Sequence, residues 1–289
     1  VCYQEANTLD GLRKIQKSKY VQSYVKDCFQ VIKKELEAGE LVLFAGTGCH
    51  VKGLRAFLKK DYDNLYTMDL VCHGVPGQGV FLKYVKWLEK KYQDKLINYI
   101  PRHKRKDGQE IGYYAMATFE HKGNVKLELR DNGYFVGFQH NLFLRSNCFQ
   151  CSANGEERYA DFTVADFWGL GKVQPFTQNH ERTRGISMLA LNSGKASNLF
   201  DEVKDDLVYE KRTYEEASFS NTQYYKPAIP SPRRAKFREE WNELGWEQLT
   251  DKYLGYSKKE KVLYFIKKFT PPLCYLMLNH WRNGSSRKE

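Results

Sequence analysis

Two apolar segments that each end in cysteine, histidine and glycine-rich sequence constrain the fold of this chain more than any other feature. "LVLFAGTGCH" covers residues 41–50 and "NLYTMDLVCHG" covers residues 64–74, and each segment predicts a buried strand. Apolar residues at helical spacing lie before, between and after these strands, in segments 27–40, 50–60 and 79–93. Strands that alternate with helices predict an α/β fold with a mixed, partly parallel sheet flanked by helices.

The later sequence adds β structure and a basic tail to this pattern. Residues 95–130 contain short β-like runs joined by polar turns, which predict a β insertion and keep an α+β arrangement open. "GISMLALNS", residues 185–193, predicts a buried strand, and a helix pattern follows it. We therefore expect one domain over residues 1–230 and a basic, helical C-terminal extension over residues 231–289.

The formal charge of +11 indicates a protein that attracts anions, such as a phosphorylated coenzyme, an anionic small-molecule substrate or an anionic lipid. The basic residues are scattered and no helix-turn-helix or zinc-finger spacing occurs, so we do not expect a nucleic-acid partner. The apolar C-terminal tail is broken by Lys267-Lys268 and Pro271-Pro272, which leaves open peripheral contact with a membrane or packing on protein. Seven cysteines without a secretory signal indicate a reducing compartment, the cytoplasm.

Four cysteines share a context that suggests a common site. Cys49 and Cys72 each follow a predicted strand, whereas Cys148 and Cys151 form a C-x-x-C pair in a polar loop. Because the ends of parallel strands gather at one edge of a sheet, Cys49 and Cys72 are expected to lie near each other. Four thiolates suit a zinc ion or an iron–sulfur cluster. Buried small hydrophobic residues and a redox-active dithiol remain alternative interpretations.

Glycines near the strand ends suggest close approach of the backbone to a ligand or to another segment. Gly46 and Gly48 flank Thr47 in the first turn, and Gly74 follows the second strand. Backbone N–H groups in such turns can bind phosphate or the edge of a flavin. The Gly-Lys-Ser/Thr ending of a P-loop is missing, so the glycines alone do not identify a ligand.

A second group of candidates lies in "ADFTVADFWGL". Asp161 and Asp166 are carboxylates that could act in catalysis or cap a turn. Phe167 and Trp168 precede a glycine and could stack on a planar ring or fill the core.

Several motifs together resemble a known family. "LVLFAGTGCHVKGL", "DLVCHGVP", "CFQC" followed by "ADFTVADFWGL", "GISMLALNS" and "KPAIPSPRRAKF" occur in the order seen in the coenzyme F-420 hydrogenase/dehydrogenase beta-subunit family. The resemblance covers about residues 10–240 and corresponds to the C-terminal domain of that family. The chain resembles a bacterial member of the kind found among surface-polysaccharide biosynthesis proteins.

This resemblance implies a flavin-dependent iron–sulfur oxidoreductase that carries FAD and a 4Fe-4S cluster. Such a protein would pass electrons between a hydride-carrying coenzyme or substrate and the cluster, with a redox partner protein or ferredoxin-like module. The resemblance assigns cluster ligation to Cys49, Cys72, Cys148 and Cys151. The other expected roles are catalysis for His50 and Asp166 and cofactor contacts for Gly46, Thr47, Gly48, Gly74, Phe167 and Trp168. The basic residues Arg102, Lys104 and Arg105 are candidates to bind an anionic coenzyme tail, and a solvated loop is the alternative interpretation of that run.

The chain departs from the family pattern at three points. Gly48 stands where the family typically has proline, and His50 stands where it has glutamine. The amino-terminal ferredoxin-like module and the Ser-Gly-Gly-containing segment that normally precedes the motif "KYVQS", residues 19–23 here, are expected to be missing, together with part of the flavin site. The alternative function is a structural-zinc or cofactor-free accessory or scaffold protein in surface-polysaccharide biosynthesis.

Overall fold

The computed structural model describes residues 1–104, 113–127, 131–175 and 185–255. The chain divides into two compact units, Val1–Ala235 and Lys236–Glu289. The apolar tail with its lysine and proline pairs lies outside the described residues, and so does Arg105.

Seven strands and ten α-helices lie in the described ranges. The strands are β1 Val42–Thr47, β2 Leu65–Leu70, β3 Leu96–Lys104, β4 Tyr113–Phe119, β5 Gly123–Leu127, β6 Phe162–Asp166 and β7 Ser187–Leu191. The helices are α1 Leu9–Ile15, α2 Cys28–Glu37, α3 Gly48–Leu58, α4 Gln78–Tyr92, α5 Gly133–Gln139, α6 Gly194–Val203, α7 Tyr214–Ser218, α8 Thr222–Tyr225, α9 Arg234–Glu239 and α10 Trp246–Tyr253.

The central sheet has four strands in the order β1-β2-β6-β7. The pairs β1–β2 and β2–β6 are parallel, and β6–β7 is antiparallel. This mixed sheet with flanking helices confirms the α/β prediction. Strands β3, β4 and β5 form a separate antiparallel sheet, which is the β insertion expected from residues 95–130.

Helices α2 and α3 cover one face of the central sheet because their apolar residues recur at helical spacing. Their buried side chains pack with β1 and β2 in one cluster, formed by Ile32, Leu36, Phe44, Val51, Leu54, Leu58, Leu65 and Ala160. A second cluster of Met188, Ala217 and Tyr224 joins β7 to α7 and α8. These two clusters fix the strands whose ends carry the candidate residues.

Two details differ from the sequence-based expectations. Helix α3 begins at Gly48, directly after β1, so Cys49 lies in the first turn of a helix rather than in a loop. Strand β7 is an edge strand, with Leu189 42% and Leu191 36% exposed, so the prediction of a buried strand was wrong for one of its faces. Apolar alternation cannot tell an edge strand from an inner one, because both carry the same side chains.

A buried carboxylate joins β2 to the segment that leads into β6. The Asp161 side chain, 3% exposed, accepts hydrogen bonds from the Thr67 N–H at 2.8 Å, the Thr67 hydroxyl at 2.7 Å and the Ser193 hydroxyl at 2.8 Å. Burial raises the pKa of Asp161, but these hydrogen bonds outweigh it and hold the pKa below its ordinary value. Asp161 therefore has a structural role, as the core contact between two strands.

We expect Asp161→Asn to lower the free energy of unfolding at pH 7 by about 3 kcal/mol, because buried donors lose a charged acceptor. Since the folded-state pKa is depressed, the stabilisation by Asp161 is complete above the unfolded-state pKa of about 3.9 and is lost as pH falls toward the folded-state value. Urea unfolding between pH 7 and pH 3 should show a weaker pH dependence in the variant. The control is Asp61→Asn. Asp61 is an exposed carboxylate that, like Asp161, forms an ion pair with Arg55. An equal loss in both variants would contradict this role.

Candidate functional site

Cys49 and Cys72 lie at the same edge of the central sheet. Thr47 and Leu70 are register partners at the ends of the parallel strands β1 and β2, and each cysteine follows its partner residue by two positions. The geometry is that of a strand-end site in an α/β sheet, where ligands commonly bind.

The C-x-x-C loop is attached to the segment that follows Cys72. Cys148 lies in a short 3₁₀ helix, Ser146–Gln150, and Cys151 follows it directly. The Arg145 N–H donates to the Val75 carbonyl at 2.9 Å, and an isolated bridge pairs the neighbouring residues 76 and 144. Backbone pairing therefore brings the loop to the sheet edge.

The four cysteines influence one another electrostatically. Burial, opposed by the backbone hydrogen bond from Gly74 and supported by Cys148, Cys49 and Cys151, raises the pKa of the Cys72 thiol to about 12. Burial also raises the pKa of Cys148, with contributions from Cys49 and Cys151. Consecutive N–H groups, those of Gly74 and Val75, donate to Cys72 Sγ and Cys148 Sγ, so these two thiols are neighbours. Cys72, Cys148 and Cys151 are half-buried, and Cys49 is exposed. Within the described ranges, no three His, Cys, Asp or Glu side chains have an arrangement that could hold a metal ion.

Backbone N–H groups donate to three of the four sulfurs. The pairs are Gly74 N–H to Cys72 Sγ at 3.3 Å, Val75 N–H to Cys148 Sγ at 3.5 Å and Ala153 N–H to Cys151 Sγ at 3.4 Å. The fourth sulfur, Cys49 Sγ, lies 3.2 Å from the Thr47 hydroxyl. Hydrogen bonds to sulfur stabilise the thiolate form and tune the potential of a bound cluster.

Buried polar atoms without partners border the same segments. Among the described residues, His73 Nε2, Asn154 Nδ2 and the Nε and Nη1 atoms of Arg158 are buried and have no hydrogen-bond partner. Buried polar groups are ordinarily paired, so this concentration next to the cysteines indicates a place where a polar or anionic group would be accommodated. Four thiols, N–H···S bonds and unpaired buried polar atoms are the donor types that an anionic thiolate-bound group uses, although the described side chains are not arranged around a single metal ion.

Each of the three glycines has a close neighbour within the protein. An added Cβ would clash with the Tyr3 hydroxyl at Gly46 and would lie 2.8 Å from Asp69 Oδ2 at Gly48. At Gly74, φ is +114° and an added Cβ would lie 2.8 Å from Leu144 Cδ1. Packing inside the protein therefore explains all three glycines, and the steric conflict at position 48 explains why a proline is not found there.

His50 is enclosed in a hydrogen-bonded chain. Arg145 Nη1 donates to Gln22 Oε1 at 2.6 Å, which leaves Gln22 Nε2 to donate to His50 Nε2 at 2.9 Å. His50 Nδ1 then carries the proton and donates to the Tyr3 hydroxyl oxygen at 2.6 Å. Burial, with a contribution from Arg145, lowers the pKa of His50 and favours the neutral ring. Both ring nitrogens are occupied, so His50 ties the Cys49 helix to the C-x-x-C loop.

Asp166, Trp168 and Arg102 lie together. Arg102 Nη2 donates to Asp166 Oδ2 at 2.9 Å, and its guanidinium lies 5.8 Å from the centroid of the Trp168 ring. Burial lowers the pKa of Arg102, but hydrogen bonds to Tyr20 and Asp166 outweigh it and raise the pKa above its ordinary value. Arg102 is thus engaged with Asp166. Phe167 faces elsewhere, toward the cluster between β7 and α7.

Several residues that complete this site carry no recognisable sequence signal. Tyr3, Gln22 and Arg145 surround His50, and the pair Asp69–Arg158 lies beneath Gly48. They are distant in sequence from the residues they contact, and no spacing rule relates them. Of the basic residues expected to bind a coenzyme tail, Arg102 lies at the site and Lys104 ends β3.

The fold and the site define an α/β protein with a cysteine-rich site at the carboxyl edge of its parallel strands. The family described as the C terminus of the coenzyme F420 hydrogenase/dehydrogenase beta subunit matches residues 39–217. The chain belongs to this family, which confirms the resemblance seen in the motifs.

Other comparisons are more distant. A chain of the F420-reducing [NiFe] hydrogenase complex from Methanosarcina barkeri is 12% identical, with 81% of this chain and 73% of that chain covered and a TM-score of 0.42. The comparison with curated proteins gives no match. Within the described residues, none of the helices has the length and apolar character needed to cross a bilayer.

Proposed function

We propose that this protein is a flavin-dependent iron–sulfur oxidoreductase. In this proposal it passes electrons between a hydride-carrying coenzyme or substrate and a 4Fe-4S cluster. Cys49, Cys72, Cys148 and Cys151 ligate the cluster, and FAD binds beside it. Membership of the family and the grouping of the four thiols support this assignment.

The observation that carries the proposal is the convergence of three separate chain segments on one group of thiols. Cys49 arrives at the end of β1, Cys72 at the end of β2, and the C-x-x-C pair on a loop attached to the β2 end. Backbone N–H groups also donate to three of these sulfurs. Hydrogen bonds to the sulfurs help to set the reduction potential of a cysteinyl iron–sulfur cluster, so these donors support the proposal.

When bound, the flavin exchanges a hydride and the cluster exchanges single electrons. The residues of this chain position and shield those groups. The proposed flavin contacts are the backbone around Gly46, Thr47 and Gly48 and the side chains of Asp166 and Trp168. Asp166 is also the proposed catalytic group. His50 is neutral and enclosed, and it keeps the Cys49 helix in place. Its Nδ1 proton is held in the hydrogen bond to the Tyr3 hydroxyl.

The proposed partners follow from charge and chemistry. The net charge of +11 favours an anionic coenzyme or small-molecule substrate, and single-electron exchange calls for a redox partner protein or a ferredoxin-like module. Free thiols that ligate a cluster require a reducing compartment, so we propose a cytoplasmic location. A role beside surface-polysaccharide biosynthesis belongs to the same proposal.

Protein purified without oxygen and reconstituted with iron and sulfide is expected to hold about four iron atoms per chain. It should also show broad visible absorbance that bleaches on reduction with dithionite. Iron, acid-labile sulfide, flavin and zinc are measured on the same sample, because these four numbers separate the candidate functions.

Stoichiometric zinc without iron or flavin would replace the oxidoreductase with a zinc-stabilised accessory protein. Absence of all of these groups, in protein whose circular dichroism is native, would favour the cofactor-free scaffold. Iron without flavin would retain the cluster and reject the flavin site in this chain.

A further inference from the structure

A buried ion pair lies directly beneath the cysteines. Arg158 Nη2 donates to Asp69 Oδ2 at 2.7 Å, and both side chains are only 1% exposed. The other carboxylate oxygen, Asp69 Oδ1, accepts a hydrogen bond from the Thr163 hydroxyl at 2.6 Å. Removing one member of such a pair leaves an uncompensated buried charge, so each member depends on the other.

The Asp69 end of the pair borders the segment of Cys49. Asp69 Oδ2 lies beside Gly48, 2.8 Å from the position of an added Cβ, and Gly48 immediately precedes Cys49. The carbonyl of Ala153 lies 3.0 Å from the same position, so the segment that follows Cys151 borders Gly48 as well. The Ala153 N–H donates to Cys151 Sγ, which links this segment to the Cys151 thiol.

The Arg158 end contacts the segment of Cys72. Arg158 Nη2 lies 3.5 Å from the carbonyl oxygen of Leu70, two residues before Cys72. Its guanidinium lies 5.7 Å from the centroid of the Tyr224 ring, which packs on it from α8. Arg158 also belongs to the loop that follows the C-x-x-C pair, so its position and that of Cys151 are coupled along the chain.

We propose that the Asp69–Arg158 ion pair is the positioning element that holds the segments of Cys49, Cys72 and Cys151 in the spacing a common ligand needs. This inference rests on the proposed function, since it assigns a role toward the cluster proposed there. The two side chains act through the backbone turns they contact and do not bind the cluster themselves.

The first test compares three variants in reconstituted full-length protein. Arg158→Met removes the charge but keeps much of the side-chain volume, and Arg158→Lys keeps the charge. Arg212→Met removes an arginine from a partly buried ion pair elsewhere in the fold. We expect Arg158→Met to weaken cluster retention by about 10-fold or more and to shift the reduction potential of any cluster that remains. Arg158→Lys should restore most of the retention, and Arg212→Met should change neither quantity.

The second test uses protein without any metal, so that it does not depend on the cluster. The rate at which iodoacetamide alkylates Cys72 and Cys151 is measured by mass spectrometry at fixed pH. We expect about a ten-fold faster reaction in Arg158→Met than in the unmodified protein, because local opening exposes the thiols. The rate should be unchanged in Arg212→Met.

The inference would be overturned if Arg158→Met has native circular dichroism together with an unchanged iron content, reduction potential and alkylation rate. Equal effects in Arg158→Met and Arg212→Met would also overturn it, because general destabilisation would then account for both. If the unmodified protein binds no iron, the proposed function fails, and the alkylation rates still decide whether the pair positions the thiols. If Arg158→Met does not fold, Asp69→Asn takes its place because it keeps the shape of the side chain. The same two measurements are then made on Asp69→Asn and judged by the same criteria.

Discussion

Replacing Cys72 with serine is expected to reduce the iron content of the reconstituted protein from about four atoms per chain to below about one. Cys72 is a half-buried thiol whose pKa is raised by burial and by all three of the other cysteines. Serine keeps the size of the side chain but is a poor ligand for iron, so the variant removes the donor and little else. Iron, sulfide and visible absorbance after anaerobic reconstitution measure the effect.

Cys28→Ser is the matched control for this prediction. Cys28 is a half-buried cysteine at the start of α2 that packs against the apolar cluster of α2, α3 and β1. Its replacement should leave the iron content unchanged and lower stability slightly. Retention of iron in Cys72→Ser, or equal loss in Cys28→Ser, would reject the assignment of Cys72 as a ligand.

Gly48→Ala is expected to lower the free energy of unfolding by about 1–3 kcal/mol, because a methyl group would be forced into an occupied space. The added Cβ would lie 2.8 Å from the buried Asp69 carboxylate and 3.0 Å from the backbone carbonyl of Ala153. Neither neighbour can move freely, since Asp69 is held by Arg158 and the Ala153 N–H donates to Cys151. Denaturant unfolding measures the stability, and iron content after reconstitution should fall in the same variant.

Gly53→Ala is a control in the same helix, and its expected change in the free energy of unfolding has the opposite sign. Its added Cβ would lie 3.6 Å from the Phe29 ring, which is ordinary van der Waals contact. Because alanine favours helix more than glycine does, we expect this variant to be stabilised by about 1 kcal/mol and to bind iron normally. Similar stabilities for Gly48→Ala and Gly53→Ala would show that the contacts of Gly48 are not tight.

The α/β class was predictable because its signals are local. Apolar periodicity marked α2, β1, α3, β2 and α4, and glycine marked where several of them end. The exposure of β7 was not predictable in this way, since its position at the sheet edge depends on which strands pair. The start of α3 at Gly48 was missed for a related reason, because glycine disfavours helix and only the tertiary contact with Asp69 explains its presence there.

The candidate site divides in a similar way. The two cysteines at strand ends could be placed near each other from parallel topology, and the C-x-x-C pair could be recognised from its spacing. The enclosure of His50 by Tyr3 and Gln22 could not be predicted from the sequence. Tyr3 is 47 positions from His50 and Gln22 is 28 positions from it, and no local pattern relates them. The contact of Arg102 with Asp166 likewise links the two sheets across 64 positions.

The sequence by itself determined the alternation from α2 to α4, the α/β class and the four cysteines, because helical periodicity, strand alternation and short motifs are properties of neighbouring residues. Only the tertiary structure decided how those cysteines are held. Backbone N–H groups reach three sulfurs, and Asp69 meets Arg158 across 89 positions of the chain. Such contacts form when separate strands and loops are brought to one sheet edge, where burial makes each polar group depend on a partner supplied by a distant segment.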